Sequence, residues 1–293
     1  MNAQEFKPFG HEFSGIVEKT GKNVTNVKPG DRVAVESSSY CGTCDMCRNG
    51  HAELCRNKYI FAPRYNAFAE KAVCKAGALV KFDESVSFEE AALVEPMGVA
   101  MDMVEMADIG LNDHVAVYGA GPIALMAIRL AKLKGAGKIT ALAHSHSAAR
   151  IELARFYGAD EIVLTDIEDP VAKLKDERVD RVLVTTPPQT LRDAAEFASF
   201  GAIISMIGIA KNKEESLCTL DINRIHFKRL QLRFSFASPA LFFPKCLDMI
   251  SHGLVDVKPL ISHRFPLEEM QKAMDALRCD KAHAVKVMMT ASE

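Results

Sequence analysis

The chain has 293 residues, of which 48% are hydrophobic and 25% charged, and this composition is typical of a globular protein with about two domains. Its net charge of −2 gives no support for nucleic acid or an anionic membrane as a partner. The start of the chain has no signal-peptide pattern, and no apolar run approaches the roughly 20 residues that cross a bilayer. We therefore expect a cytoplasmic protein without a membrane or nucleic-acid partner.

The first predicted elements are short strands of a small β domain. They lie within residues 9–18 and 27–35, and a proline-glycine turn leads into the second. His11 and Glu12 stand directly before the first strand, which puts an imidazole and a carboxylate side by side at a loop edge. Such a pair suits a metal ligand and its neighbour, although taken alone His11 is more often a hydrogen-bonded loop residue.

Four cysteines follow within fifteen residues, in a loop with few apolar side chains. Their spacing is typical of tetrahedral thiolate coordination of one zinc ion, which can fix a loop that has no core of its own. Disulfides need an oxidising compartment, free thiols leave the spacing unexplained, and a nucleic-acid-binding zinc knuckle needs a more basic surface. The sequence therefore predicts a closed, structural zinc site. Its ligands are Cys41, Cys44, Cys47 and Cys55.

A buried strand, a glycine turn and an apolar helix form the central motif. The strand is predicted at His114–Tyr118, and the helix extends to about Lys134. The glycines let the backbone approach a pyrophosphate, and the N–H groups at the helix N-terminus favour an anion. Alone, the same glycines also suit a crowded strand-turn-helix contact without a nucleotide. The predicted cofactor-binding residues of this turn are Gly119, Gly121, Pro122 and Ile123.

Short apolar runs then alternate with helical segments. Strands are predicted at residues 138–143, 161–165, 179–185 and 201–209, and helices at residues 148–157, 170–175 and 191–200. Alternation of this kind predicts parallel crossover units and a doubly wound α/β sheet, the Rossmann arrangement. The last run, residues 201–209, is almost unbroken in its apolar character, as in a strand that is buried on both faces. A dinucleotide-binding domain follows from this pattern together with the glycine turn.

The end of the second predicted strand of this domain carries no carboxylate, although an acid there normally binds the ribose 2′-hydroxyl of NAD. His144, Ser145 and, in the next helix, Arg150 can instead receive a 2′-phosphate. The pattern favours NADP over NAD, since the loss of an acid removes repulsion. A polar turn that caps the helix near Ser147 is the alternative.

The order of these motifs is similar to that of a known family. The Gly-His-Glu segment, the four-cysteine loop, a Glu-Pro segment at residues 95–96 and the glycine turn occur in the order found in the zinc-containing medium-chain dehydrogenases. The chain most resembles the sorbitol, threonine and polyol dehydrogenase branch. The resemblance implies a Rossmann domain in residues 99–235 and a GroES-like small β domain in residues 1–98 and 236–293.

The resemblance also implies a reaction and its residues. Family members interconvert a secondary alcohol, here a polyol or sugar alcohol, and a ketone by hydride transfer with NAD or NADP, and they commonly form homodimers or homotetramers. Zinc acts as a Lewis acid in this reaction. By the resemblance His11, Glu12 and Glu95 form the catalytic zinc site. His11 is a ligand, Glu95 is a ligand or a base that acts through metal-bound water, and Glu12 is a ligand or a neighbouring carboxylate that tunes the ion. Without the resemblance, the local sequence gives Glu95 only the position of an acid at the start of a helix.

Two departures from the family pattern bear on activity. Relatives carry upstream strands and a Cys-Gly-x-Asp-type segment that supplies a cysteine ligand to the catalytic zinc, whereas this chain opens nine residues before Gly10. We therefore expect an N-terminally incomplete small domain, and two functions stay open: an active dehydrogenase or a nucleotide-binding member without turnover. In the expected substrate wall, Phe234 and Phe236 indicate either a less polar pocket or core packing.

Overall fold

The N-terminal part of the protein is a small antiparallel β unit. The computed structural model describes residues 10–60, 67–210, 212–236 and 239–291. The first elements are β1 (Phe13–Ile16), β2 (Arg32–Val35), β3 (Ser38–Ser39), α1 (Asp45–Arg48), β4 (Tyr59–Ile60), β5 (Leu79–Lys81), α2 (Phe88–Ala92) and α3 (Val94–Met106). Strand β2 pairs antiparallel with β1 on one side and β5 on the other. The β3–β4 pair brackets the loop that carries the cysteines.

The central part is a six-stranded parallel sheet flanked by helices. Its elements are β6 (His114–Tyr118), α4 (Pro122–Lys134), β7 (Lys138–Ala143), α5 (Ala148–Tyr157), β8 (Glu161–Leu164), α6 (Pro170–Leu174), β9 (Arg181–Val184), α7 (Leu191–Phe197), β10 (Ile203–Met206), α8 (Ile222–Lys228) and β11 (Gln231–Phe234). The strand order is β8-β7-β6-β9-β10-β11. This order confirms the doubly wound fold, and in such sheets a dinucleotide binds where the order reverses, here between β6 and β9.

Helices cover both faces of this sheet, which explains its apolar strands. Val115 and Val117 of β6 belong to a core shared with α3, α4 and α5. Ala116 and Tyr118 belong to a second core, shared with α6 and α7. Alternate side chains of one strand therefore fill two separate cores, and both neighbouring positions must be apolar.

The predicted bounds of most of these elements are close to those observed. Strands β6 and β7 and helices α4 and α5 begin and end as predicted. Helix α7 ends at Phe197, short of the predicted residue 200, because Ala198 has an extended ψ of 138°. A left-handed turn at Gly201 follows, so β10 begins only at Ile203.

The C-terminal part contacts the small β unit. Its elements are α9 (Phe243–Ser251), β12 (Ile261–Pro266), α10 (Met270–Cys279) and β13 (Lys286–Thr290). Strands β12 and β13 pair in parallel. Arg264 on β12 donates hydrogen bonds of 2.7 and 2.8 Å to the carboxylate of Glu89 on α2. These contacts join the C-terminal part to helix α2.

Helix α3 lies between these parts of the molecule. Nine of its 13 residues are buried, and it packs against α4, α9 and β10. It runs continuously across residue 98, and the domain boundaries after residues 98 and 235 stay predictions. No helix in the described ranges is both long and apolar enough to cross a membrane.

Candidate metal and cofactor sites

Two groups of metal-binding side chains converge in the part of the chain that the structure describes. In each group, one ligand atom from every residue lies within 4.8 Å of the others. The first group, called the cysteine cluster below, comprises Cys41, Cys44, Cys47 and Cys55. The second, called the catalytic group below, comprises His11, Glu12 and Glu95.

The cysteine cluster has the dimensions of a tetrahedral zinc site. The Sγ atom of Cys44 lies 3.5 Å from that of Cys47 and 3.9 Å from that of Cys55. Zinc–sulfur bonds of about 2.3 Å give a tetrahedron with edges of about 3.8 Å. None of these four cysteines forms a disulfide. The thiol geometry therefore fits one zinc ion.

Local hydrogen bonds prepare the cluster for a cation. The backbone N–H groups of Thr43 and Cys44 donate to Sγ of Cys41 over 3.4 and 3.3 Å. The Thr43 hydroxyl and these N–H groups lower the pKa of Cys41 to about 6. A thiol with this pKa is largely thiolate at neutral pH, which is the form that binds zinc. Because α1, inside the loop, buries none of its residues, a bound ion would supply the missing core.

The catalytic group forms where the small β unit meets α3. His11 follows Gly10, whose left-handed φ of +88° turns the chain into β1. The Nε2 atom of His11 lies 3.6 Å from Oε1 of Glu95. Glu95 lies in the first turn of α3, so it both starts a helix and belongs to the catalytic group. The two interpretations of this residue are compatible.

Burial determines the charge of the catalytic group. The side chain of Glu95 is 8% exposed, and burial together with the neighbouring Glu12 carboxylate raises the pKa of Glu95 to about 7. Burial lowers the pKa of His11, which favours the neutral imidazole that binds metals. One imidazole and two carboxylates fit a catalytic zinc ion, which commonly has three protein ligands and an open position. No cysteine among the described residues joins the group.

Three residues around the catalytic group are absent from the sequence prediction. The Ser37 hydroxyl donates a 3.0 Å hydrogen bond to Oε1 of Glu95. Lys286 on β13 forms an ion pair with Glu12. Glu36 is 6% exposed, and burial raises its pKa to about 8. Ser37 and Glu36 follow β2, and Lys286 is the first residue of β13, but nothing in the local sequence indicates their partners.

Gly119 makes the turn after β6 in a conformation that suits glycine alone. Its φ is +119°, and a Cβ atom there would lie 2.2 Å from Oγ1 of Thr185. The Thr185 hydroxyl in turn donates a 3.0 Å hydrogen bond to the carbonyl of Tyr118. Thr185, which follows β9, therefore contacts the glycine turn at the point where the strand order reverses.

The helix after this turn presents its N-terminus at the same edge of the sheet. Gly121 is the N-cap of α4, Pro122 is its first residue and Ile123 its second. Among the described residues beyond its chain neighbours and its own helix, nothing lies within 4 Å of a Cβ atom placed on Gly121, so there is open space beside the first turn. Backbone N–H groups beside open space fit a pyrophosphate. The assignment of these residues to a cofactor stays a prediction.

The residues predicted to hold a 2′-phosphate have different hydrogen-bond partners in the structure. Arg150 donates from Nε and Nη2 to the carbonyl of Ala284, over 3.1 and 2.9 Å, and so contacts the C-terminal segment. Ser145 donates from its backbone N–H and its hydroxyl to Asp166, over 2.8 and 2.6 Å. His144 is exposed. Asp166 was missed because the prediction considered the end of one strand only, and this acid follows the next.

The two phenylalanines of the expected substrate wall are exposed. Phe234 is 62% and Phe236 76% accessible. The Lys58 ammonium lies 5.0 Å from the centre of the Phe236 ring, and Ser235 hydrogen-bonds to Asp102. Core packing, one of the two predicted roles of these rings, is therefore wrong.

Comparisons with known proteins cover most of the chain. Residues 3–84 match the model of the alcohol dehydrogenase GroES-like domain, and residues 122–252 match that of the zinc-binding dehydrogenases. An L-idonate 5-dehydrogenase from Vitis vinifera is 30% identical over 95% of this chain and 78% of its own length. A sorbitol dehydrogenase from Bacillus subtilis is 30% identical over 97% of this chain and 81% of its own.

A solved structure agrees with these sequence matches. An alcohol dehydrogenase from E. coli CFT073, in complex with NADH, has a TM-score of 0.85 and 27% identity, over 96% of this chain and 83% of the other. The predicted combination of a GroES-like domain and a doubly wound sheet is confirmed. The polyol branch and the nicotinamide cofactor class are confirmed as well. This chain belongs to the zinc-binding medium-chain dehydrogenases.

Proposed function

We propose that this protein interconverts a secondary alcohol of the polyol class and its ketone, with NAD or NADP and with a catalytic zinc ion held by His11, Glu12 and Glu95. The observation that carries the proposal is the convergence of these three side chains from the loop before β1 and from α3. The polyol class is supported by the idonate and sorbitol dehydrogenases among the relatives. A second zinc ion in the cysteine cluster would stabilise residues 41–55.

Each residue around the catalytic group has a distinct task in this proposal. A zinc ion held by His11, Glu12 and Glu95 would supply Lewis-acid polarisation of the alcohol oxygen, and a bound nicotinamide would supply the hydride acceptor. Burial raises the pKa of Glu95 to about 7 in the metal-free site, so a bound cation would favour its ionised form, and the Ser37 hydroxyl fixes the position of its Oε1. Lys286 orients Glu12 and offsets part of the negative charge of the group.

Elemental analysis of the purified protein, dialysed without chelator, tests this proposal together with a turnover assay. We expect two zinc ions per chain and formation of NADH or NADPH with members of a panel of sugar alcohols. One zinc ion per chain without turnover would contradict the proposal and favour a nucleotide-binding member of the family that has no activity.

We also propose that two copies of the chain associate through β11. This strand is at the edge of the six-stranded sheet, and no strand in the described part of the chain pairs with its outer side. The backbone groups of such an edge can pair with a second chain. Phe234, Phe227 and Ile222 around this edge are 62%, 72% and 67% exposed. Light scattering should give a dimer, or a tetramer built from it, for the parent and a monomer for Phe227→Glu. An unchanged mass of the variant would contradict this interface.

We place the protein in the cytoplasm. All eight cysteines are unpaired, including the four that meet in the cysteine cluster. A reducing compartment keeps such thiols available for zinc. Fractionation of cells that express the tagged chain tests this assignment.

A further inference from the structure

We infer that Asp166 makes this enzyme select NAD over NADP, because it places a carboxylate where the 2′-position of the adenosine ribose is bound. The inference rests on the proposed function and adds to it the identity of the cofactor. It also reverses the preference for NADP that the strand-end sequence alone favours.

The position of Ser145 locates the ribose. In doubly wound dehydrogenases the second strand of the sheet ends beside the adenosine ribose, and a side chain at or just after this strand end faces the 2′-hydroxyl. Here that strand is β7, which ends at Ala143, and Ser145 follows by two residues. A serine there can hydrogen-bond either a hydroxyl or a phosphate, so Ser145 alone does not discriminate.

Asp166 decides what Ser145 can do. It lies two residues after β8, which is the parallel neighbour of β7, so the carboxyl ends of both strands meet at one edge. Both oxygens of Asp166 accept hydrogen bonds from Ser145, Oδ1 from the N–H at 2.8 Å and Oδ2 from the hydroxyl at 2.6 Å. The donors that would receive a 2′-phosphate are therefore already bound to an anion. A ribose hydroxyl, in contrast, can donate to the same carboxylate.

The surrounding charges do not offset Asp166. The two hydrogen bonds from Ser145 lower the pKa of Asp166, so this group is ionised at neutral pH. Arg150 is half-buried, and its guanidinium binds the carbonyl of Ala284. The remaining basic side chains of the turn are the imidazoles of His144 and His146, and residues 144–150 contain no lysine and no other arginine.

The size of the effect follows from the charges. A phosphate monoester carries nearly two negative charges above its second pKa. At a separation of about 6 Å in water, repulsion from one carboxylate weakens binding by about tenfold at low ionic strength. Salt reduces this difference, since the screening length is about 8 Å at 0.15 M.

Binding titrations at pH 8 test the inference without any need for turnover. NADH and NADPH are titrated separately into the parent, Asp166→Asn and Asp176→Asn, followed by nicotinamide fluorescence. Asp176 is a matched control, because it is an exposed acid between α6 and β9. It precedes a strand, so it lies on the side of the sheet where the parallel strands begin, whereas Asp166 lies where they end. We expect the parent and the control to bind NADH about tenfold more tightly than NADPH at low salt. In Asp166→Asn that ratio should fall to about threefold or less.

Three results would overturn the inference. One is tighter binding of NADPH than of NADH by the parent, which would leave the proposed dehydrogenase function intact. Another is a ratio in Asp166→Asn that equals that of the parent, which would move the selection to a different residue. Failure of both nucleotides to bind the parent would contradict the proposed function as well.

Discussion

The cysteine cluster and the catalytic group differ in how the chain assembles them. All four thiols of the cluster come from one short loop, and backbone N–H groups of the same loop contact the Sγ atom of Cys41. The catalytic group takes His11 and Glu12 from the loop before β1 and Glu95 from α3. Its ion pair to Lys286 comes from β13, close to the other end of the chain. The first site is encoded locally, whereas the second forms only when three parts of the molecule are folded together.

This difference makes the two sites separable by mutation. Loss of a cluster thiol should loosen one loop and leave the chemistry of the catalytic group in place. Loss of a catalytic carboxylate should stop the reaction and leave the loop intact. Variants at single positions therefore test whether the two donor sets are as independent as their assembly indicates.

Glu95→Gln should have the largest effect. The amide keeps the size of the side chain but carries no charge to balance a metal cation. We expect kcat to fall at least about a hundredfold, the order of loss found when metal-site partners are removed. Zinc content should fall by one ion per chain, with the cysteine cluster still loaded. Steady-state kinetics and elemental analysis measure both.

Glu89→Gln is the matched control for this variant. Glu89 lies on α2, pairs with Arg264 on β12 and is not part of the catalytic group. Its replacement removes the same charge nearby and should preserve zinc content and kcat. Parental kcat in Glu95→Gln would show that this carboxylate has no part in the reaction.

Cys44→Ser should damage the other site. The Sγ atom of Cys44 lies 3.5 and 3.9 Å from two other thiols of the cluster, and a serine hydroxyl is a poor ligand for zinc in a thiolate site. We expect the loss of one zinc ion per chain and faster proteolysis within residues 41–55, since this loop has little core of its own. Zinc analysis and limited proteolysis with mass spectrometry report the two effects.

Cys279→Ser provides the comparison, because Cys279 is an exposed thiol on α10 outside the cluster. It should keep all the zinc and the parental cleavage pattern. If Cys44→Ser also kept its full zinc content, the cysteine cluster would not be a zinc site. If it lost both zinc ions, the two sites would not be independent.

The glycine turn combines a local motif with a distant contact. Gly119→Ala forces a left-handed φ on alanine and brings its Cβ atom to 2.2 Å from the Thr185 hydroxyl, so we expect a loss of about 2–4 kcal/mol in the free energy of unfolding. Gly121→Ala meets no such contact and should leave stability nearly unchanged, yet weaken NADH binding. Urea unfolding and NADH titration of the two variants separate these effects. Equal stability of both would contradict the steric argument.

The contrast between locally encoded features and features assembled from distant segments explains what could be predicted from the sequence. Strands β6 and β7 and the cysteine cluster are specified by neighbouring residues, through apolar runs and thiol spacing, and the structure has them where they were predicted. The pairing of Ser145 with Asp166 and of Glu12 with Lys286 depends on which strand ends meet after folding. No periodicity in a single segment contains that information. Glu95 needed the family resemblance, because its local pattern indicates only the start of a helix.

No local sequence pattern singles out Glu36. Its burial predicts that the free energy of unfolding depends on pH. Its carboxyl is buried after β2, and its pKa of about 8 lies well above the value of about 4.3 expected in the unfolded chain. Below pH 4 both states are protonated and the burial has no electrostatic cost. As the pH rises from about 4.3 to 8, the unfolded chain releases a proton that the folded protein keeps, so the free energy of unfolding falls.

Glu36→Gln should remove this pH dependence, because the amide has nearly the same shape and does not titrate. The variant and the parent should be closest in stability near pH 5, and by pH 8 the variant should have gained on the order of 3 kcal/mol relative to the parent, since each pH unit between the two pKa values contributes up to about 1.4 kcal/mol. Thermal unfolding at pH 5, 6.5 and 8 measures the difference, with Glu84→Gln as a control at an exposed acid. Parallel curves for the parent and Glu36→Gln would mean that Glu36 is ionised in the folded protein, with a cation close enough to stabilise it.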